Sequence, residues 1–241
     1  MYTVKQAIII AAGTGNRVQP VTFTTPKPLI RVNGVRMIDT IIQGLHKNGI
    51  TEIYVVAGYL KEQFDILEKE YEGLKIIENP LYNVCNNISS LYVAREHIEE
   101  AIILDGDQII YNDLILSPEF EKSGYNAVWT DEETKEWLIQ VENNRVVSCS
   151  RIGGKKGWQL FSISRWTAED GRKLKRHLEI EFNQKKNRQI YWDDVVMFCH
   201  FEDYDLGIRP MNASDIIEVD SLSELIALDS SYQKYMGGIA K

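Results

Sequence analysis

The sequence predicts an α/β fold with a mostly parallel central sheet flanked by helices, followed by a β-rich second half. Two observations support this fold class. In the first half, short continuous apolar runs that are typical of buried strands alternate with helical patterns. In the second half, predicted strands follow one another without intervening helices. Strands that alternate with helices form parallel sheets that are covered on both faces.

The predicted elements of the first half follow from hydrophobic periodicity. The strands are residues 6–11, 53–57, 74–77 and 101–104. A helix is predicted where Met37, Ile38, Ile41, Ile42 and Leu45 recur at helical spacing, and Asn48-Gly49 ends it. Residues 61–71 and 88–97 are predicted as the next two helices.

The second half is predicted to contain strands at 127–130, 137–141 and 145–150, with Asn143-Asn144 as a hairpin turn. The longest predicted helix covers 167–184, with Thr167 as its N-cap. Ser221 and Glu224 form a capping box ahead of a terminal helix. The glycine-rich residues 153–157 are predicted to form a mobile loop.

Composition limits the classes of protein to which the chain can belong. Its 241 residues are 44% hydrophobic and include only 6 prolines, which is typical of a globular chain with a core. The net charge of −8 argues against nucleic acid or an anionic membrane as the main partner. The three cysteines lack metal-binding spacing, and their odd number favours a reducing compartment. We see no signal peptide or membrane-spanning segment, and therefore expect a cytoplasmic protein.

A glycine loop directly after the first predicted strand is the main functional signal. It reads Ala11-Ala12-Gly13-Thr14-Gly15, and Arg17 and Lys27 follow it. Glycines let backbone N–H groups approach an anion, and the two side chains add positive charge. The pattern lacks the lysine of the ATPase phosphate loop and the third glycine of the dinucleotide fingerprint. We therefore expect a polyphosphate site of another kind.

Acidic residues are predicted to complete this site with a metal ion. Asp105-Gly106-Asp107 follows the strand 101–104, so it can meet the glycine loop at the carboxyl edge of the sheet. Mg²⁺ prefers oxygen ligands and, when it binds a triphosphate, takes one or two protein carboxylates. We expect Asp107 and Asp193 to be those ligands, although Asp193 is also explained as a helix N-cap.

Aromatic residues lie beside acids at two places in the second half. Trp137 follows Glu136, and Tyr191-Trp192 precedes Asp193. Aromatic faces with nearby carboxylates can bind a quaternary ammonium group. The alternative is that these aromatic side chains are part of the core.

These motifs resemble those of a known family. The pattern A-A-G-x-G-x-R-x-x-P-x-T followed by P-K resembles the signature of nucleotidyltransferases that activate phosphorylated small molecules with an NTP. Residues 58–64 and 86–91, with Glu136-Trp137 and Tyr191-Trp192-Asp193, resemble bacterial CTP:phosphocholine cytidylyltransferases. The resemblance implies a Rossmann-like nucleotidyltransferase fold, dependence on Mg²⁺, and CTP and phosphocholine as substrates. We expect one domain, 1–241, with a nucleotide-binding half, 1–110, and an acceptor-binding half, 111–241.

The resemblance also implies a role for each site residue. Arg17 and Lys27 would be the catalytic residues and would contact the phosphates. The nucleotide would be bound by Ala11, Ala12, Gly13, Thr14, Gly15, Asn87, Ser89 and Asp105. The acceptor would be bound by Glu136, Trp137, Tyr191 and Trp192. The metal would be held by Asp107 and Asp193.

The implied reaction is direct attack of a phosphocholine oxygen on the α-phosphorus of CTP, which gives CDP-choline and pyrophosphate. A phosphate monoester is already largely ionised at neutral pH, so no general base is needed. The same chemistry on 2-aminoethylphosphonate, phosphoethanolamine, or a sugar or inositol phosphate is the alternative. A different class of function is an inactive nucleotide-sensing subunit. The sequence does not decide whether CTP or UTP is the nucleotide, and it does not give the oligomeric state.

Overall fold

The structure is a computed structural model that describes residues 1–238. The strands are β1 (Tyr2–Thr3), β2 (Gln6–Ala11), β3 (Arg31–Val32), β4 (Val35–Arg36), β5 (Glu52–Ala57), β6 (Leu74–Glu78), β7 (Ala101–Asp105), β8 (Gln108–Ile110), β9 (Glu119–Phe120), β10 (Gly124–Thr134), β11 (Leu138–Glu142), β12 (Arg145–Ser150), β13 (Gly154–Arg165), β14 (Gly207–Pro210) and β15 (Ile216–Glu218). The α-helices are α1 (Met37–Lys47), α2 (Asp65–Glu70), α3 (Ile88–Val93), α4 (Ala168–Glu179), α5 (Trp192–Asp194) and α6 (Leu222–Leu228).

The predicted fold class is confirmed. Four adjacent strands in the order β7-β2-β5-β6 are parallel and form the centre of the main sheet. These four are the strands that the apolar runs of the first half predicted. They read as continuous apolar runs because strands covered on both faces have no solvent side. Their carboxyl ends therefore lie along one edge, where the glycine loop and the acids of β7 meet.

The second half extends this sheet with antiparallel strands. β13 pairs with β7, and β10 and β11 pair with β13. The prediction of a loop at 153–157 is wrong from residue 154 onward, because Gly154 lies opposite Thr134 and Gly157 lies opposite Thr130 in the ladder. Cross-strand pairing with the long strand β10 places this glycine-rich stretch in a strand despite its low β-propensity.

Helix α1 begins at Met37 and ends before Asn48 as predicted, whereas the predicted ranges 61–71, 88–97 and 167–184 each contain two shorter helical pieces. Residues 61–71 form a 3₁₀ turn, Lys61–Phe64, before α2, and a second 3₁₀ turn, Arg95–His97, follows α3. The long helix is α4 followed by a π-helical turn, Ile180–Gln184. Thr167 and Ser221 accept hydrogen bonds from the first-turn N–H groups of their helices, so both predicted caps are confirmed.

Helices cover both faces of the sheet and enclose two main apolar clusters. One lies under α1 and α2 and contains Ile9, Ile41 and Val55. The other lies under α3 and α4 and contains Ile8, Leu91 and Leu174. Along β2, alternate side chains enter opposite clusters, which fixes this central strand between two layers. Among the described residues, no helix is long and apolar enough to span a membrane.

Candidate active site

The glycine loop lies where β2 ends, as predicted. Gly15 has a φ of 64°, a left-handed conformation that favours glycine. A β-carbon on Gly15 would also lie 2.8 Å from Cγ2 of Thr22, which is too close. The hydroxyl of Thr22 donates to the carbonyl oxygen of Gly15 at 3.0 Å and fixes the turn. Glycine is therefore needed here for conformation and for space.

The two predicted cations lie beside this loop, in different environments. Lys27 is buried, and its Nζ lies 2.5 Å from Oδ2 of Asp107 and 3.3 Å from Oδ1 of Asp220. Burial acts to lower the pKa of Lys27, but the two carboxylates outweigh burial and raise it above its usual value. The side chain of Arg17 is 72% exposed, and its Nη2 lies 2.6 Å from Oδ1 of Asp220. Lys27 is thus a buried charge held by two carboxylates, whereas Arg17 is an exposed charge held by one.

Three carboxylates meet opposite Lys27. Asp107, Glu218 and Asp220 each offer an oxygen, and these oxygens lie within 4.8 Å of one another. β15 pairs with β8 so that Glu218 lies opposite Gln108, and this pairing brings the end of β15 to Asp107. Oδ1 of Asp107 is buried and has no hydrogen-bond partner among the described residues. Oxygen ligands at this spacing suit a hard divalent cation.

The predicted pairing of Asp107 with Asp193 at one metal ion stays a prediction, because Asp193 lines the same cavity as Glu218 and Asp220. The group around Asp107 contains Glu218 and Asp220, and Asp193 is not part of it. Sequence reasoning missed Glu218 and Asp220. The available signal was the same as at Asp105 and Asp107, namely acids directly after a short apolar strand.

The electrostatics of the cleft favour a bound cation. Burial, together with the nearby Asp107, raises the pKa of both Asp105 and Glu218 well above the usual range. Burial also raises the pKa of Asp193 to about 7. Carboxylates held close together resist ionisation until a positive charge joins them.

Three neighbouring cavities, each of about 260 Å³, make up the cleft. The phosphate cavity is lined by Gly13, Gly15, Arg17, Lys27, Asp107 and Asp220. The nucleotide cavity is lined by Ala12, Gly13, Thr14, Asn79, Asn87, Ser89 and Asp105, among others. The acceptor cavity is lined by Asn87, Asp105, Glu136, Trp137, Tyr191 and Asp193, among others. Shared walls connect the three, because Gly13 and Asp107 line the first two cavities and Asn87 and Asp105 line the last two.

The nucleotide cavity has a polar floor that is held by hydrogen bonds. The side-chain amide of Asn79 donates to the hydroxyls of Ser89, at 2.9 Å, and Ser90, at 3.0 Å. Oδ1 of Asn87 accepts the backbone N–H of Trp192 at 2.9 Å, which joins this cavity to the acceptor side. Asn87 and Ser89 line this one cavity.

The acceptor cavity brings together most of its predicted residues. The rings of Trp137 and Tyr191 are perpendicular, with centroids 6.1 Å apart, and Tyr191 is half exposed. Asp193 lies beside them, and its Oδ1 is buried without a hydrogen-bond partner among the described residues. Trp192, which was also predicted for the acceptor, does not line this cavity. Its side chain is fully buried and stacks on Tyr125 in the core, because Tyr191 and Trp192 start a helix and point in different directions.

Comparison with known proteins gives relatives that match nearly the whole chain. A family model described as nucleotidyl transferase matches residues 6–124. The 2-aminoethylphosphonate cytidylyltransferase of Lancefieldella rimae is 38% identical over 228 residues, which cover 94% of this chain and 92% of the relative. The choline-phosphate cytidylyltransferase of Streptococcus pneumoniae is 30% identical over 224 residues, which cover 93% of this chain and 96% of the relative.

Solved structures agree with these sequence matches. The CTP:phosphocholine cytidylyltransferase from Streptococcus pneumoniae superposes with a TM-score of 0.87 at 30% identity, covering 95% of this chain and 99% of that one. The inositol-1-phosphate CTP transferase from T. maritima gives a TM-score of 0.75 at 17% identity, covering 99% and 97% of the two chains, a likeness of fold alone.

Proposed function

Because this chain belongs to the nucleotidyltransferase family and is one of its cytidylyltransferases, we propose that it transfers CMP from CTP to 2-aminoethylphosphonate. A phosphonate oxygen forms a new bond to the α-phosphorus of CTP while the bond from that phosphorus to pyrophosphate breaks. The products are CMP-2-aminoethylphosphonate and pyrophosphate. The acceptor thus belongs to the amino-phosphonates, which stood as the alternative to phosphocholine on sequence grounds.

The observation that carries this proposal is the unpaired oxygen of Asp193. Oδ1 is buried at the cavity that Trp137 and Tyr191 line, and it makes no hydrogen bond of normal geometry among the described residues, although the buried hydroxyl of Tyr125 lies near it. An unpaired buried carboxylate oxygen is costly, and a primary ammonium can satisfy it because it donates three hydrogen bonds. A trimethylammonium group has no N–H to donate. The relative at 38% identity, a 2-aminoethylphosphonate cytidylyltransferase, supports the same choice.

Phosphocholine remains a second candidate because of the aromatic pair. The perpendicular rings of Trp137 and Tyr191 line the same cavity, and aromatic faces attract a cation that cannot donate hydrogen bonds. The choline-phosphate relatives at 30% identity support this reading. The two candidates differ in the interaction that dominates recognition. For 2-aminoethylphosphonate it is hydrogen bonding to carboxylates, and for phosphocholine it is contact with the ring faces.

The carboxylate group fits a magnesium ion. Asp107, Glu218 and Asp220 would hold it, because they offer hard oxygen ligands within 4.8 Å of one another and Oδ1 of Asp107 lacks a partner. When bound, Mg²⁺ would neutralise phosphate charge and stabilise the charge that develops on the leaving pyrophosphate. In this proposal Asp193 contacts the acceptor and is not one of the three carboxylates that hold the metal.

The positive side chains would reduce the repulsion between two anionic substrates. A pair of unit charges 4 Å apart repels by about 1 kcal/mol in water and about 4 kcal/mol at an effective dielectric constant of 20. Lys27 is held in place by Asp107 and Asp220, so we expect it to act on the charge that develops in the transition state. Arg17 is exposed, and we expect it to bind the triphosphate.

The glycine loop would bind the phosphates through its backbone N–H groups. Asn87 and Ser89 are expected to face the pyrimidine, since they line the nucleotide cavity together. The phosphonate oxygen needs no protein base, because it already carries negative charge near neutral pH. The chemical work of this chain is therefore to position two anions and to stabilise charge.

A test measures pyrophosphate release with CTP, UTP and ATP, each combined with 2-aminoethylphosphonate, phosphocholine and phosphoethanolamine in the presence of Mg²⁺. We expect CTP with 2-aminoethylphosphonate to give the highest kcat/KM, at least about tenfold above phosphocholine. A higher kcat/KM for phosphocholine would contradict the proposal and favour the second candidate. If CTP binds but pyrophosphate is released neither with these acceptors nor with a sugar or inositol phosphate, the chain is a nucleotide-sensing subunit instead.

A further inference from the structure

A salt bridge behind the acceptor cavity has no part in the function proposed above. Arg151 lies in the turn between β12 and β13, and Asp194 lies in α5, next to Asp193. Nε and Nη2 of Arg151 lie 2.6 Å and 2.5 Å from Oδ1 of Asp194. The side chain of Asp194 is only 5% exposed, while that of Arg151 is 48% exposed. Neither residue lines the acceptor cavity.

The second oxygen of Asp194 connects this salt bridge to Tyr191. Oδ2 accepts the backbone N–H of Tyr191 at 2.8 Å. The two oxygens of one buried carboxylate therefore have separate partners, one in the β12–β13 turn and one at the start of α5. Because Oδ1 is held by Arg151, the orientation of Oδ2 and the position of the Tyr191 backbone are held as well.

Arg151 also connects to Trp137 by a second route. Its guanidinium carbon lies 3.7 Å from the centre of the Phe198 ring, within the range of a cation–π contact. Phe198 in turn packs edge-on against Trp137, with ring centroids 5.4 Å apart. One exposed arginine thus supports both aromatic walls of the acceptor cavity, Tyr191 through Asp194 and Trp137 through Phe198.

We propose that Arg151 is a positioning residue for the acceptor: it fixes the spacing of Trp137 and Tyr191 through Asp194 and Phe198. This inference rests on the proposed function of the acceptor cavity. Arg151 suits the role because its planar guanidinium can bind a carboxylate and stack on a ring at the same time, whereas lysine cannot do both. We expect its effect to fall mainly on the acceptor, because Arg151 lines neither the phosphate cavity nor the nucleotide cavity.

The test compares steady-state kinetics of Arg151→Gln, Arg151→Lys and the wild-type protein. For Arg151→Gln we expect the KM for 2-aminoethylphosphonate to rise about tenfold, with the KM for CTP and kcat within about twofold of wild type. Arg151→Lys keeps the charge without the planar stack, so an intermediate KM is expected even if the glutamine variant folds poorly. Arg145→Gln is the matched control, because Arg145 lies on the same hairpin and pairs with the exposed Asp205.

A double variant tests the route through Asp194. If Arg151 acts through this carboxylate, Arg151→Gln combined with Asp194→Asn should raise the acceptor KM no more than the worse single variant does. Equal rises in the KM for CTP and for the acceptor would show a general structural role and overturn the proposal. If the wild-type protein uses the acceptor and Arg151→Gln leaves the acceptor KM unchanged, this inference is overturned and the proposed function still stands. Failure of the wild-type protein to use any amine acceptor would overturn the proposed function, and this inference with it.

Discussion

The phosphate loop and the acceptor cavity share one edge of the sheet but are positioned by different kinds of structure. The loop continues directly from β2, and its shape depends on local features such as the left-handed Gly15 and the nearby Thr22. The acceptor cavity takes residues from the turn between β10 and β11, from β13 and from the start of α5, which lie far apart along the chain. Its residues are held by long-range contacts such as the bond from Arg151 to Asp194, across 43 positions.

This difference separates the part of the site that serves the chemical step from the part that selects the acceptor. The phosphate side has buried charges in fixed geometry, which is what stabilisation of a transition state requires. The acceptor side has a half-exposed tyrosine and a tryptophan whose positions depend on neighbouring side chains. Changes on the phosphate side should therefore lower kcat strongly, and changes on the acceptor side should raise the acceptor KM more modestly. The following predictions test this division.

The largest effect is expected at Asp107. Asp107→Asn keeps the shape of the side chain but removes a negative charge from the metal group, and we expect kcat to fall by about 10³-fold. The measurement is pyrophosphate release at saturating CTP and acceptor. Asp113→Asn is the matched control, because Asp113 pairs with the exposed Lys47 far from the cleft. Near-normal turnover of Asp107→Asn in Mg²⁺ would exclude Asp107 as a metal ligand.

Lys27 should show the next largest effect. Lys27→Ala removes the positive charge nearest to Asp107 and one of the two positive charges at Asp220, and we expect kcat to fall by about 10²-fold with a smaller change in CTP binding. The kinetics should be compared with those of Lys47→Ala, an exposed lysine outside the cleft. If Lys27→Ala raised only the KM for CTP, Lys27 would contribute to ground-state binding and not to the transition state.

These two sites also illustrate what could be predicted from the sequence. The loop, Lys27 and Asp107 could be predicted because they follow buried strands, and the ends of parallel strands meet at one edge. Glu218 and Asp220 could not be placed, since their position depends on the antiparallel pairing of β15 with β8. The burial of Trp192 could not be predicted either, because the sequence does not reveal which of two adjacent aromatic residues faces the core at the start of α5.

The acceptor side was predicted less completely for the same reason. Glu136, Trp137 and Tyr191 could be identified from their acidic and aromatic neighbours, and the structure places all three at one cavity. Asp193, which was predicted as a metal ligand, lines the acceptor cavity together with Glu218 and Asp220, and it is outside the closely spaced carboxylate group of Asp107, Glu218 and Asp220. Carboxylates look alike in sequence, and only packing decides which of them share one cation.

The pH dependence of acceptor use should report Asp193. Burial raises the pKa of Asp193 to about 7, so its carboxylate form is populated above that pH and lost below it. An ammonium group binds the carboxylate form, and the contribution of Asp193 to kcat/KM should therefore fall about tenfold from pH 8 to pH 6. The phosphonate also titrates, but equally for both enzymes, so the difference between wild type and Asp193→Asn isolates this group. Identical pH profiles for the two enzymes would remove Asp193 from acceptor binding.

The smallest effect is expected at Trp137, and its size depends on which acceptor is natural. A primary ammonium is held mainly by hydrogen bonds to carboxylates, so Trp137→Ala should raise the KM for 2-aminoethylphosphonate only about threefold. Phosphocholine depends on the ring faces, so its KM should rise about tenfold or more in the same variant. The KM for CTP should not change, and Trp129→Ala provides the control, because Trp129 is an exposed tryptophan that packs on Trp158 and does not line the acceptor cavity. Equal tenfold losses for both acceptors would mean that the aromatic pair dominates recognition of either cation. The unpaired oxygen of Asp193 would then no longer favour a primary amine, and phosphocholine would become the better supported acceptor.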